Sequence, residues 1–162
     1  MDKQLRQRIS MANPVHFLAL GFGSGLAPKA PGTFGSLAAL PLVLLQSYLS
    51  LPLMLAIIVL ATLVGFYLCG KTAEDMQVHD HSSIVWDEVV GMLITFIAIP
   101  LSVTSLLAGF ALFRLFDIVK PWPIRYLDKH VHGGVGIMVD DILAGIFALV
   151  CMHILILAGW LG

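Results

Sequence analysis

Residues 87–117 read DEVVGMLITFIAIPLSVTSLLAGFALFRLFD, and the course of this stretch decides the fold. Asp87 and Glu88 stand at one end, Arg114 and Asp117 at the other, and the 25 residues from Val89 to Phe113 carry no charge. As a single helix those residues would cross a hydrocarbon core of ~30 Å at 1.5 Å per residue. Pro100 interrupts them, followed by Ser102, Thr104 and Ser105. Proline in a helix interior costs ~3 kcal/mol and disfavours helix at the residue before it. Two courses compete: one kinked crossing, or two helices over about 82–99 and 103–119 joined by a turn at Pro100–Ser102. Ser82 or Ser83 suits the N-cap of the first, and Pro121 and Pro123 end the second at about Val119.

The rest of the chain sets the solvent. Apolar residues make up 59% of the 162 and charged residues 12%, against roughly 45–50% and about 25% in soluble domains. No Asp, Glu, Lys or Arg occurs between Lys29 and Lys71, between Glu88 and Arg114, or after Asp141. Pro52–Cys69 and Ile142–Gly162 are each long enough to span a bilayer. Leu37–Leu49, with Pro41 inside, is shorter and is expected to pair with the next helix through a turn at Ser50–Pro52. The fold class expected is all-α: a multi-pass helical membrane protein with short hydrophobic helices and a charged site at their cytoplasmic ends. Residues 1–162 form a single membrane-embedded domain, with 1–12 a flexible basic N-terminus. The apolar run Val15–Leu20 is too short, and too soon broken by Gly21, Gly23 and Gly25, for a cleaved signal peptide. A net charge of −1 gives no reason to expect nucleic acid. Cys69 and Cys151 sit in apolar runs and read as buried spectators.

Five carboxylates stand at borders of apolar segments: Asp87, Glu88, Asp117, Asp140 and Asp141. An acid at mid-helix in a bilayer costs ~2.5–3.5 kcal/mol, and adjacent acids repel unless a cation lies between them. Magnesium takes oxygen ligands and is commonly held by one or two carboxylates plus a substrate phosphate. Arg114, Asp117 and Lys120, spaced by three, share one broad helix face. They form either a local ion pair or a phosphate clamp beside a metal held by Asp117. Gly21-Phe-Gly-Ser-Gly25 and Pro31-Gly-Thr-Phe-Gly-Ser36 are glycine-rich, and Gly32, Thr33 and Gly35 would let backbone N–H groups meet an anion. A tight packing turn explains the pattern equally well, as it does for Gly133, Gly134 and Gly136. His79-Asp-His81 and His130-Val-His132 have a spacing common by chance, and His16 and His153 read as polar groups satisfied between helices. Asp-x-Asp, a cysteine-phosphatase loop and an arginine–histidine phosphatase set are all missing from the sequence.

Taken together, Gly21-Phe-Gly-Ser-Gly-Leu26 with Pro31-Gly-Thr33, Val85-Trp-Asp-Glu88 with Gly91, Phe113-Arg-Leu-Phe-Asp117 with Lys120-Pro-Trp-Pro-Ile124, and Gly133-Gly-Val-Gly-Ile-Met138 with Asp140-Asp141 resemble the phosphatidylglycerophosphatase A family. The resemblance runs from about Asn13 to Gly162. It implies a magnesium-dependent lipid phosphatase of the bacterial inner membrane. Such an enzyme removes the terminal phosphate of phosphatidylglycerophosphate, leaving phosphatidylglycerol. Asp87, Glu88, Asp117, Asp140 and Asp141 would be metal ligands or catalytic acids, and Arg114, Lys120, Gly32, Thr33 and Gly35 would bind substrate. The competing reading is a small transporter whose carboxylates line a cation path, against which stands the placement of the acids at helix ends.

A shared site also fixes the expected topology. A single crossing would hold Asp87 and Asp117 roughly 30 Å apart, so the stretch must turn back at Pro100–Ser102. Leu37–Leu49 and Pro52–Cys69 would form a hairpin, and Asp140 and Asp141 would sit where the last helix begins. The basic island Lys3–Arg8 points to the cytoplasmic side.

Overall fold

The computed structural model describes residues 7–78 and 81–161; the expectations placed on Lys3, Arg6, His79 and Gly162 lie outside them. In chain order the elements are α1 (Pro14–Ala19), a 3-10 segment (Gly21–Leu26), α2 (Pro31–Gln46), α3 (Leu51–Met76), α4 (Trp86–Thr95), α5 (Val103–Val119), α6 (Ile124–His130) and α7 (Gly133–Leu157).

The deciding stretch takes the second course. Helix α4 ends at Thr95, the chain turns through Phe96–Leu101 with Ala98 in the left-handed region, and α5 returns antiparallel. Gly109 lies against Phe96, and Gly91 against Phe113. The serines that follow Pro100 build the restart. Ser102 Oγ accepts from the Ser105 N–H, Ser105 Oγ takes the Ser102 N–H, and Ser105 Oγ donates to the Pro100 carbonyl at 2.9 Å. This reciprocal cap satisfies orphan donors at the helix start.

Helix α4 is shorter than the 82–99 expected. Neither Ser82 nor Ser83 caps it; Val85 precedes it without a side-chain cap. The reason is tertiary. The Val85 N–H donates to the Ala19 carbonyl at 2.9 Å, and the Ser83 carbonyl packs on Gly25, so residues 83–85 follow α1 and the 3-10 segment instead of winding into helix. Every residue from Glu88 to Thr95 is buried. Helices α2, α3, α5 and α7 surround this short central helix.

Helices α2 and α3 are joined by a short turn as expected, but they do not form a packed hairpin. Helix α4 packs against both and α7 against α3. The last helix begins at Gly133, not near Ile142, which places Asp140 and Asp141 inside α7 rather than at its start. It can begin there because Gly134 lets it press on Phe66 and Gly70 of α3. Further along, a Cβ at Gly145 would strike the backbone of Gly91 on α4. Small residues at crossings allow helix backbones to approach closely.

Helices α3 and α7 are long and apolar enough to cross a membrane by length and composition. Helix α3 exposes Leu53, Leu55, Ile57, Val59, Leu60 and Leu63, more contiguous apolar surface than soluble monomers usually leave uncovered. Helix α1 is tied down by a polar knot. His16 Nδ1 accepts from the Ser10 N–H and its Nε2 donates to Asp75 Oδ2, each at 3.0 Å. Asp75 also holds Lys71 at 2.6 Å, so His16 is satisfied between helices.

Candidate active site

The hairpin brings the two ends of the deciding stretch together. Asp87 and Glu88 occupy the first turn of α4, Arg114 and Asp117 the last turns of α5, and Asp141 reaches in from α7. Asp87, Glu88 and Asp141 each offer a carboxylate oxygen within 4.8 Å of the others. Asp117 Oδ2 lies 2.6 Å from Arg114 Nη1. Arg114 Nη1 also stands 3.9 Å from Glu88 Oε1.

These residues suit a hard divalent cation. Glu88 Oε2 and Asp141 Oδ1 are buried and accept no hydrogen bond, a costly arrangement unless something positive meets them. Arg114 is the cation next to the acids, and its Nε is buried without an acceptor. Oxygen-only ligation by clustered carboxylates is the donor set magnesium takes. Among the described residues the histidines form no comparable group: the His81 ring accepts from the Ser83 N–H, and His130 stacks on Tyr126.

Asp140 does not join this group. One residue from Asp141, it faces Lys120, whose Nζ lies 2.5 Å from Asp140 Oδ2 and 2.7 Å from Asp128 Oδ1. Lys120 adopts a left-handed backbone as the C-cap of α5, which turns its side chain toward α6 and α7. Partial burial works against its charge, but the hydrogen bonds it donates to Asp128 and Asp140 hold the ammonium above its ordinary pKa.

The glycine-rich entry divides in the same way. A Cβ on Gly32 would collide with Glu88 Oε1 and crowd the Arg114 guanidinium, so any larger residue at the start of α2 would push these two side chains from their places. Gly35 packs on Val85 instead. The Thr33 N–H is taken by the Ala30 carbonyl. Gly134 and Gly136 press on backbone of Phe66 and Val131, a packing role.

Two residues escaped the sequence reading. Ser36 Oγ donates to the Gly32 carbonyl at 2.9 Å and accepts from Arg114 Nη1 at 3.5 Å. Its position four residues after Gly32 was the available signal. Asp128 lies eight residues from its lysine, across a break between helices, and no spacing rule reaches it.

Comparisons with known proteins identify the family. The family model described as Phosphatidylglycerophosphatase A matches residues 17–156. A Phosphatidylglycerophosphatase A of Escherichia coli (strain K12) is 53% identical over 144 residues, covering 88% of this chain and 84% of that one. The protein of the same name from Haemophilus influenzae is 56% identical over 146 residues, covering 89% and 90%. A "Putative phosphatidylinositol-3-phosphatase" of Bacteroides thetaiotaomicron is 38% identical over 146 residues, covering 85% and 90%. No solved structure matches. Matched over most of its length by the family model and by relatives that carry the family's name, the chain belongs to the phosphatidylglycerophosphatase A family.

Proposed function

We propose that this protein is a magnesium-dependent phosphatidylglycerophosphatase of the bacterial inner membrane, hydrolysing the terminal phosphomonoester of phosphatidylglycerophosphate to phosphatidylglycerol and phosphate. The observation that carries the reading is the convergence of Asp87, Glu88 and Asp141 within 4.8 Å, beside Arg114. These three acids would hold the magnesium, with Asp117 next to them. When bound, the ion supplies charge neutralisation at the phosphoryl oxygens and a water made more acidic.

The chain's own groups do the rest. Arg114 offers a planar fork of donors suited to phosphate oxygens, and Asp117 and Ser36 hold that fork toward the acids. Gly32 leaves room for the phosphate between the start of α2 and Glu88. Lys120, one turn beyond Asp117, adds positive charge on the approach while Asp128 and Asp140 fix its position. Burial of the acids keeps bulk water from competing for the reacting phosphate.

We further propose that α3 and α7 cross the membrane, and that the α4–α5 hairpin re-enters from the cytoplasmic side. Non-helical backbone at membrane depth survives only when buried in protein or lining a water-filled cavity; Phe96 and Ile99 of the turn are buried, while Ala98 and Pro100 are exposed. The activity test is phosphate release from phosphatidylglycerophosphate by purified protein, with magnesium and with a chelator. Release that is lost on chelation and restored by magnesium is expected; full release in chelator, or none under any condition, would refute the reading. For topology, single cysteines at Gln77, Lys129 and His132, in a background lacking Cys69 and Cys151, should all react only from the cytoplasmic face. Reaction of any two from opposite faces sinks the shared side.

A further inference from the structure

Helix α4 separates α2 from α3, and the gap left between those two is not filled. An apolar trough of about 540 Å³ runs there. Leu42 and Leu45 of α2 form one wall, Ile57 and Ala61 of α3 the other, and Val89 and Leu93 of α4 the floor. Gln46, the polar side chain in the wall, directs its amide to the Leu93 carbonyl at 3.1 Å.

The two ends of the trough differ. At one end Trp86 donates from Nε1 to the Ala61 carbonyl at 3.0 Å. Phe22 lies edge-on to Trp86 at 6.1 Å, and Phe17 edge-on to Phe22 at 5.7 Å. Phe22 holds its ring there from a left-handed backbone. Trp86 is the residue immediately before Asp87, so this aromatic lip lies within one helical turn of the acids. At the other end Tyr48, Leu49 and Met54 are shared with a second hollow of about 620 Å³ that continues to Pro100. Along α4, from Trp86 to the turn at Phe96, the combined trough extends about 15 Å at 1.5 Å per residue.

We propose that this trough seats one acyl chain of the lipid substrate and so sets the depth at which its headgroup meets Asp87, Glu88 and Arg114. This inference rests on the lipid-phosphatase reading above. The position of the lip singles out the substrate's own chain over bulk lipid: Trp86 lines the trough and shares the first turn of α4 with Asp87 and Glu88, so a chain entering past Trp86 has its polar end within a helical turn of the acids. Lipid tails are as apolar as the leucines of the wall, so leaving the bilayer for the trough gains little binding. The gain is orientation, which acts on turnover. Chain length therefore changes kcat/KM until the trough is filled, and the second chain stays in the bilayer.

The experiment uses the full-length protein in a neutral detergent, with phosphatidylglycerophosphate carrying two hexanoyl or two palmitoyl chains. Wild type is measured first, and no release from either substrate would count against the phosphatase reading, not the trough. Ala61→Phe narrows the trough beside the lip, and Leu45→Trp crowds its wall further along. Each should lower the palmitoyl-to-hexanoyl ratio of kcat/KM, Ala61→Phe by about tenfold and Leu45→Trp by less. Leu45 is largely exposed, so that variant tests the proposal even if Ala61→Phe fails to fold. An unchanged ratio in folded variants would overturn the proposal in favour of bulk lipid. An unchanged ratio with an altered oligomeric state would overturn it in favour of a second copy.

Discussion

Asp140 and Asp141 are neighbours in one turn of α7, yet they belong to different regions. At 3.6 residues per turn they point about 100° apart. Asp141 enters a pocket where four carboxylates face one guanidinium. Asp140 enters one where Asp128 and Asp140 share one ammonium at 2.7 and 2.5 Å; Asp140, like Glu88 and Asp141, keeps one buried oxygen without a partner. The first region has too little positive charge to balance its acids, an arrangement that the proposed magnesium and phosphate would complete. The second is nearly balanced and ties α5, α6 and α7 to one another. Identical side chains one residue apart thus meet different partners, and under the proposed function only Asp141 would hold the ion.

The sharpest way to break the comparison is to neutralise one acid on each side. Asp141→Asn or Asp87→Asn should lower phosphate release by on the order of 10²-fold or more, since lost metal ligation removes several kcal/mol of transition-state stabilisation. Asp140→Asn should cost less, about tenfold, with part of the loss appearing as a lower unfolding temperature. Equal losses with equal stability at both positions would merge the two regions.

A smaller effect is expected at Gly32. Gly32→Ala places a methyl against Glu88 and Arg114, and a slight misplacement at a reacting centre lowers the rate by about tenfold or more. Gly35→Ala meets only Val85, so its effect should appear in thermal unfolding before it appears in rate. Indistinguishable profiles for the two variants would remove Gly32 from the site.

Asp128 sharpens the second region. Its 2.7 Å contact with Lys120 makes it a measurable contributor. Loss of one charged hydrogen bond should cost about 1–2 kcal/mol of stability, with activity within a few-fold of wild type and partial recovery in Asp128→Glu. Unfolding temperatures in detergent would read this, and no change would show that Asp140 alone holds Lys120. The smallest effect belongs to Glu74→Gln. Glu74 is mostly exposed and 3.9 Å from Lys71, and such pairs contribute little, so rate and stability should match wild type within error.

The sequence by itself determined a great deal. The scarcity and clustering of charge marked apolar helices with polar ends, because an unpaired charge is expensive in hydrocarbon. The expectation that Asp87 and Asp117 belong to one site called for a turn near Pro100, and proline with following serines supplied its local chemistry. Asp87, Glu88, Asp117 and Arg114 were legible because each stands at the edge of an uncharged run. Tertiary structure decided the remainder. Residues 83–85 are held outside the helix by Ala19 and Gly25, so a sound serine cap goes unused. Helix α7 starts at Gly133 because glycine allows contact with α3, a preference no helical period records. Asp140 parts from Asp141 because Lys120 and Asp128, distant in sequence, converge on one side of α7. Local pattern encodes where a helix can form and where a charge can stand; which partner that charge meets depends on how the helices cross, and that is fixed only when their side chains pack.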